Sequence, residues 1–224
     1  FVGGWTAVKL YFMIGLPTET DDDVVGINVL SQKVVEEFYS NPDKPKGKGV
    51  NVSAGVSSFV PKPWTPFQWE AQDTREELKR KQQLLLETCT SKKIVFRFHN
   101  TDLTFLEGVF ARGDRKLCDV IEAAYKNGCT FDSWDDKFNF NGWMKAFEDC
   151  GISTEFYGSR KRSYDEILPW DHINSGVSKA FLIAENEKAK NAETTAHCRQ
   201  KCAGCGSNKL NGGKCDALNK NMVH

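Results

Sequence analysis

At 224 residues the chain is long enough to bury a real core in one or two domains. Its thirty basic and thirty acidic residues cancel, so no overall field draws it to nucleic acid or a membrane, although a local basic groove stays possible. No apolar run approaches the roughly 18 residues that a membrane-crossing helix needs.

The first element is VKLYFMIGLP, Val8 to Pro17. As an extended strand it places Lys9, Tyr11 and Met13 on one face and Leu10, Phe12 and Ile14 on the other. With so little polarity on either face, it reads as a parallel strand covered on both sides. Gly15 and Pro17 end it, and Thr18 or Thr20 caps the helix that follows. Asp21, Asp22 and Asp23 then fall in the first helical turn, where the backbone dipole favours negative charge. In barrels and open α/β sheets the carboxyl end of such a strand is where ligands bind. A lone first strand of this type needs neighbours on both sides, and from this the chain is expected to be the carboxy-terminal part of a longer protein.

A helical apolar pattern runs from Val24 to Tyr39, followed by the Pro/Gly/Lys loop SNPDKPKGKG. Val50 to Val60 alternates as a second strand, with Val50, Val52, Ala54, Val56 and Ser58 on one face and Pro61 and Pro63 closing it. Strand, helix and strand in that order predict a parallel pair with a right-handed crossover. The rigid aromatic loop PKPWTPFQWEAQ leads into a helix over 74–88, with Thr74 and Glu77 as a capping box. A short strand is expected over 92–99. A helical segment around ARGDRKLCDVIEAAYKNG ends at Gly128, and an aromatic helix over 134–150 ends at Gly151. Residues 156–170 read as irregular, Asp171 as the opening of a further helix, and His197 as the start of a Cys-rich tail. There is no internal repeat.

Cys89, Cys118, Cys129 and Cys150 are scattered singly, whereas Cys198, Cys202, Cys205 and Cys215 crowd the tail. That distribution suits a reduced, cytoplasmic protein with one metal site better than a disulfide framework. Three thiolates with C-x3-C-x2-C spacing, joined by Cys215, suit zinc or an auxiliary Fe–S cluster. His197 is an alternative fourth ligand, strained by its adjacency to Cys198. Gly204 and Gly206 permit tight turns around the thiolates. Lys201, Lys209, Lys214 and Lys220 make the tail basic, which suits RNA but more often offsets thiolate charge. Arg112-Gly113-Asp114 spells an adhesion tripeptide; in its helical context a buried or interfacial network with Arg115 is the better reading, with Arg115 free to face an anion. In Trp170-Asp171-His172, Asp171 reads as a helix cap over a packed Trp170, because an Asp–His pair has no evident nucleophile. The tryptophans Trp5, Trp64, Trp69, Trp134, Trp143 and Trp170 read as core or interface residues, stacking on a base or corrin being the alternative.

The words VKLYFMIGLPTETDDDV and VSSFVPKPWTPFQW resemble late barrel strands and an exit loop of radical S-adenosylmethionine (SAM) enzymes. LEGVFARGDRKL, FDSW, GWMKAF, ILPWDHI and the Cys tail are similar to an uncharacterised subfamily with an upstream cobalamin-binding domain. The resemblance implies an α/β fold. It divides the chain into the carboxy-terminal part of a partial (βα)6 TIM-like barrel over 1–90, a mainly helical extension over 91–190 and the Cys-rich tail over 191–224. It also implies a [4Fe-4S] cluster on a CxxxCxxC loop upstream of Phe1. That cluster would cleave SAM to a 5′-deoxyadenosyl radical, with cobalamin as a further candidate cofactor. The implied SAM-pocket residues are Lys9, Tyr11, Met13 and Gly15 on the first strand and its exit, then Ser57, Ser58 and Val60, with the parity of the second strand open. Glu19 either caps its own loop or touches ligand. The implied partners are the N-terminal part of the same polypeptide, SAM, and an RNA or translation-linked substrate; methyl transfer and radical rearrangement both fit. The tail motif follows every barrel strand, so it reads as a separate metal site. The rival reading is a non-catalytic zinc or Fe–S module that contacts nucleic acid or a protein through its basic tail.

Overall fold

The structure is a computed structural model that describes residues 1–134, 136–213 and 215; Lys214 and Lys220 lie outside the described residues. Three parallel strands, β1 (Ala7–Ile14), β2 (Asn51–Ser58) and β3 (Ile94–Phe98), form one sheet in the order β1-β2-β3. The helix α1 (Asp21–Ser40) connects the first pair and α2 (Arg75–Thr88) the second. The chain is thus a mixed α/β protein. Thr20 caps α1 in a full capping box, its hydroxyl accepting from Asp23 N while the Asp23 carboxylate accepts from Thr20 N. At α2 only half of the expected box forms. Thr74 accepts from Glu77 N (3.2 Å), but the Glu77 carboxylate turns to Arg80 instead.

Register settles the parity of β2: Lys9 lies beside Ser53, Tyr11 beside Gly55 and Met13 beside Ser57. The alternate residues Val52, Ala54 and Val56 are fully buried and pack under the helices. Ile14, Val24, Ile27, Val56, Leu78 and Leu85 form one cluster there, and Val35, Phe38, Val50, Val52 and Ile94 a second. The expectation of a sheet covered on both faces is corrected, since Tyr11 is 82% exposed, Val95 46% and Met13 43%. The reason is topological. Each crossover steps the same way along the sheet, and two right-handed crossovers in one direction place both helices on the same face.

The sheet also runs past residue 90, because β3 pairs with β2 along its whole length. Beyond it lie α3 (Thr101–Ala111), α4 (Leu117–Lys126), α5 (Phe140–Asp149), the single turn α6 (Thr154–Tyr157) and α7 (Lys179–Lys190). Leu106, Val109, Val120, Ala124, Phe147 and Tyr157 share a third cluster. Trp69, Leu168, Trp170 and Leu182 form a fourth, which docks α7 on the loop after β2. Among the described residues no helix is long and apolar enough to cross a membrane.

Three helix expectations shift. The segment around Arg112 is broken rather than helical: α3 ends at Ala111 and α4 starts at Leu117. Arg112 is fully buried there and donates to the carbonyls of Gly158 and Arg160, while Asp114 accepts from Tyr157 Oη (3.0 Å). Residues 136 and 137 form a turn, and α5 starts only at Phe140 under an Asn139 cap. Asp171 does not open α7. Its carboxylate accepts from Leu168 N (3.0 Å), and Ser178 caps the helix instead. Trp170 is buried as expected, with its indole N–H donating to Gln68 Oε1 (2.7 Å), whereas Trp5 and Trp134 are exposed.

Candidate functional site at the carboxyl end of the sheet

The loops that leave β1 and β2 are held rigidly. Gly15 has φ +82°, and a Cβ there would meet Leu78 Cδ2 at 3.0 Å and Asp73 Oδ2 at 3.2 Å. Its N–H donates to the Glu19 carboxylate at 2.7 Å. Lys81 of α2 binds the same carboxylate and Asp73, each at 2.8 Å, with its side chain 6% exposed. Burial alone lowers the pKa of Lys81, but the hydrogen bonds to Asp73 and Glu19 outweigh it and raise it above its ordinary value. Of the two readings of Glu19, the structure selects the loop cap, and through Lys81 it is tied to Asp73 in the segment that precedes α2.

Both exit loops carry backbone that side chains rarely adopt, Thr18 at φ +68° and Trp64 at φ +57°. Such conformations persist only where the surroundings over-determine them. At Thr18 the Glu19–Lys81–Asp73 network does so. At Trp64 the constraint is Gln68, whose Oε1 accepts from Trp64 N at 3.0 Å and also from the Trp170 indole.

Between these loops lies a cleft of about 490 Å³. Met13, Ser57, Ser58 and Val60 line it, as does His99, which follows β3 directly. Leu16 and Phe67 add apolar wall, and the Lys62–Glu107 ion pair stands at the rim. The Ser57 hydroxyl donates to Phe12 O at 3.1 Å, which leaves its lone pairs toward the cleft. His99 and Glu107 also border a wider, more polar cleft of about 700 Å³ at the start of α3.

Four of the sequence-derived residues, Met13, Ser57, Ser58 and Val60, therefore meet in one place. Ser58 does so at its edge, since it lies on the covered parity and is 7% exposed. Gly15 is buried and serves the turn. Lys9 and Tyr11 lie farther down the open face, in a separate hollow of about 350 Å³. Sequence reasoning missed His99, Lys62 and Glu107. Only His99 had a usable signal, its position at the carboxyl end of a predicted strand.

Cys198, Cys202 and Cys215 are exposed and Cys205 is half-buried. Among the described residues no three His, Cys, Asp or Glu side chains come together in a way that could hold a metal. What anchors the tail is backbone: Ser178 N donates to Cys205 O at 2.8 Å, next to turns at Gly204 and Gly206 with φ +72° and +93°. The His172 imidazole is exposed, and Arg115 is exposed as well.

Comparison with curated proteins finds an uncharacterised protein of Methanocaldococcus jannaschii, 27% identical over 149 residues, which cover 66% of this chain and 31% of that protein. The match thus spans about a third of the relative's length. No protein-family profile matches the chain, and no solved structure matches it.

Proposed function

We propose that this chain is the carboxy-terminal sector of a radical SAM barrel and that its open sheet face looks into the reaction chamber. The observation that carries this reading is the one-sided sheet. Parallel sheets are normally covered on both faces, and here successive crossovers wind in one direction with both helices outside, as a barrel sector requires. Strands from a preceding part of the same polypeptide would close the other side, and the [4Fe-4S] ligands would come from there as well.

The cleft residues fit SAM. Met13, Val60 and Phe67 offer apolar surface, and Ser57 and the strand-end backbone offer polar contacts beside it. When bound, the reduced cluster and SAM supply the radical chemistry. The chain's own part is to hold and orient. The Glu19–Lys81–Asp73 network fixes the β1 exit loop and with it the position of Met13. The Ser57–Phe12 hydrogen bond fixes the neighbouring rung of β2, and Phe67 and Leu16 limit water entry from the rim. No step is assigned to the tail cysteines, since among the described residues no three His, Cys, Asp or Glu side chains come together.

Anaerobic reconstitution of the whole polypeptide tests this. We expect cleavage of SAM to 5′-deoxyadenosine that requires an upstream CxxxCxxC and survives Cys198→Ala. Loss of cleavage on removing Cys198, Cys202 or Cys205 would move the cluster to the tail and overturn the assignment.

A further inference from the structure

The open face holds a second feature, below the carboxyl-end cleft and distinct from it. Gly55 sits at the centre of the middle strand, with Tyr11 beside it on β1 and Arg97 beside it on β3. Neighbouring strands lie about 4.8 Å apart, so the two flanking Cα atoms are roughly 10 Å apart across a residue with no side chain. Nearest to a Cβ at Gly55 would be the Tyr11 ring edge, at 3.6 Å, and the Leu10 carbonyl, both at ordinary contact distance. Lys9 stands one pleat below Tyr11, opposite Ser53. The resulting hollow of about 350 Å³ has two cations on its walls and no acidic group in its lining.

A solvated lysine or arginine on a sheet surface says little by itself. Three further facts separate this hollow from an ordinary wet face. The aromatic side chain that borders it is 82% exposed, although rings on sheets are normally covered by a cross-strand neighbour. The position that should supply that neighbour is the glycine. The positive charge of Lys9 and Arg97 is unbalanced among the described residues, since neither forms an ion pair while acids elsewhere on the chain pair freely. A flat group laid on Gly55 would reach the Tyr11 ring on one side and the Arg97 guanidinium, which itself stacks and binds anions bidentately, on the other.

We propose that this hollow binds a planar ring carrying a phosphate or carboxylate, the ring over Gly55 against Tyr11 and the anion held by Arg97 and Lys9. Under the function proposed above, on which this role alone rests, that ligand is the substrate, because SAM occupies the cleft nearer the strand ends. Binding itself depends only on the side chains of the open face, so it fails or holds independently of SAM cleavage.

Amide shifts of the 15N-labelled 224-residue chain, titrated separately with AMP, adenosine, inorganic phosphate and benzoate, test the site. AMP is expected to move the amides of Tyr11, Gly55 and Arg97 saturably and to bind about fivefold more tightly than adenosine, the value of an exposed charge contact of up to ~1 kcal/mol. Shifts with benzoate at the same amides would mark a carboxylate as an acceptable anion; shifts with AMP alone would restrict the site to phosphate. Arg97→Met combined with Lys9→Met should bring AMP down to the affinity of adenosine, and Tyr11→Leu should bring it down to that of inorganic phosphate. All three side chains are exposed, and an unchanged far-ultraviolet spectrum confirms that the variants fold. Unmoved amides at these positions with both ring anions would overturn the proposal. So would equal binding of AMP and inorganic phosphate that Tyr11→Leu leaves unchanged, since that describes a bare charge patch.

Discussion

The two faces of the sheet are made from the same eight-residue strands and serve opposite ends. On the covered face β1 and β2 contribute Leu10, Phe12, Ile14, Val52 and Val56, which meet apolar residues of α1 and α2, and the fully buried Ala54. On the open face the same strands contribute Lys9, Tyr11, Met13, Ser53, Gly55 and Ser57. The covered face is chosen for volume and shape, and burial there supplies the stability that holds the strand ends in place. The open face carries charge, hydroxyls, a ring and a gap, none of which pack. Polar and charged side chains are therefore concentrated on the parity where packing makes no demand.

That division gives predictions of descending size. Lys81→Met removes the cation that joins Glu19 to Asp73 and leaves a buried carboxylate without its partner. A loss of about 3–5 kcal/mol in urea unfolding is expected, together with faster exchange of the Gly15 amide. A loss under 1 kcal/mol would mean that the exit loops are held by something else. Leu78→Ala, on a fully buried side chain under the covered face, should cost about 2–5 kcal/mol in the same measurement.

A control away from both faces is the Arg160–Glu166 pair, whose two hydrogen bonds are each 2.7 Å. Arg160 holds the Glu166 carboxyl below its ordinary value of 4.5. A depressed carboxylate adds stability that is present above its unfolded value and is lost as the pH falls through the folded one. Glu166→Gln should therefore flatten the stability decline below about pH 4.5. At neutral pH it should cost up to about 1 kcal/mol, because the pair is partly exposed. The smallest effect is expected on the open face itself: Tyr11→Ala should change stability by no more than about 0.5 kcal/mol. A large loss there would show that the ring is structural and would erase the contrast between the faces.

The strands were legible because their chemistry alternates with period two and because Gly15, Pro61 and Pro63 mark where they stop. Parity within β2 was not, since Ser57 and Ser58 adjoin and either could face inward; only pairing with β1 decides. One-sided coverage was hidden for a similar reason. Tyr11 and Met13 read as apolar in a string, whereas the direction in which successive crossovers step is a property of strand order that no local pattern carries. The burial of Arg112 was legible, but the helix break beside it was hidden for another reason. The helix-forming neighbours of Arg112 favour a continuous helix, but Gly113 weakens that preference, and in the break Leu117 packs where a side chain at 113 would lie, 2.0 Å from the position of a Cβ. The chain instead breaks and turns Arg112 inward, where burial and the nearby Arg162 and Arg160 press its pKa down to about 9. The cysteine spacing was plain in the sequence, yet spacing fixes only which thiols are near in the chain, and among the described residues no three of them come together as a metal group.

The central claim is that the open parity of the sheet forms the wall of a reaction site, and Met13 tests it most directly. Met13→Arg puts a bulky cation into the carboxyl-end cleft at a position 43% exposed in this chain, so folding should be preserved. In the reconstituted whole polypeptide we expect unchanged iron content and far-ultraviolet spectrum, with formation of 5′-deoxyadenosine lost. Undiminished cleavage of SAM by the Met13→Arg protein would contradict the claim and place the reaction elsewhere.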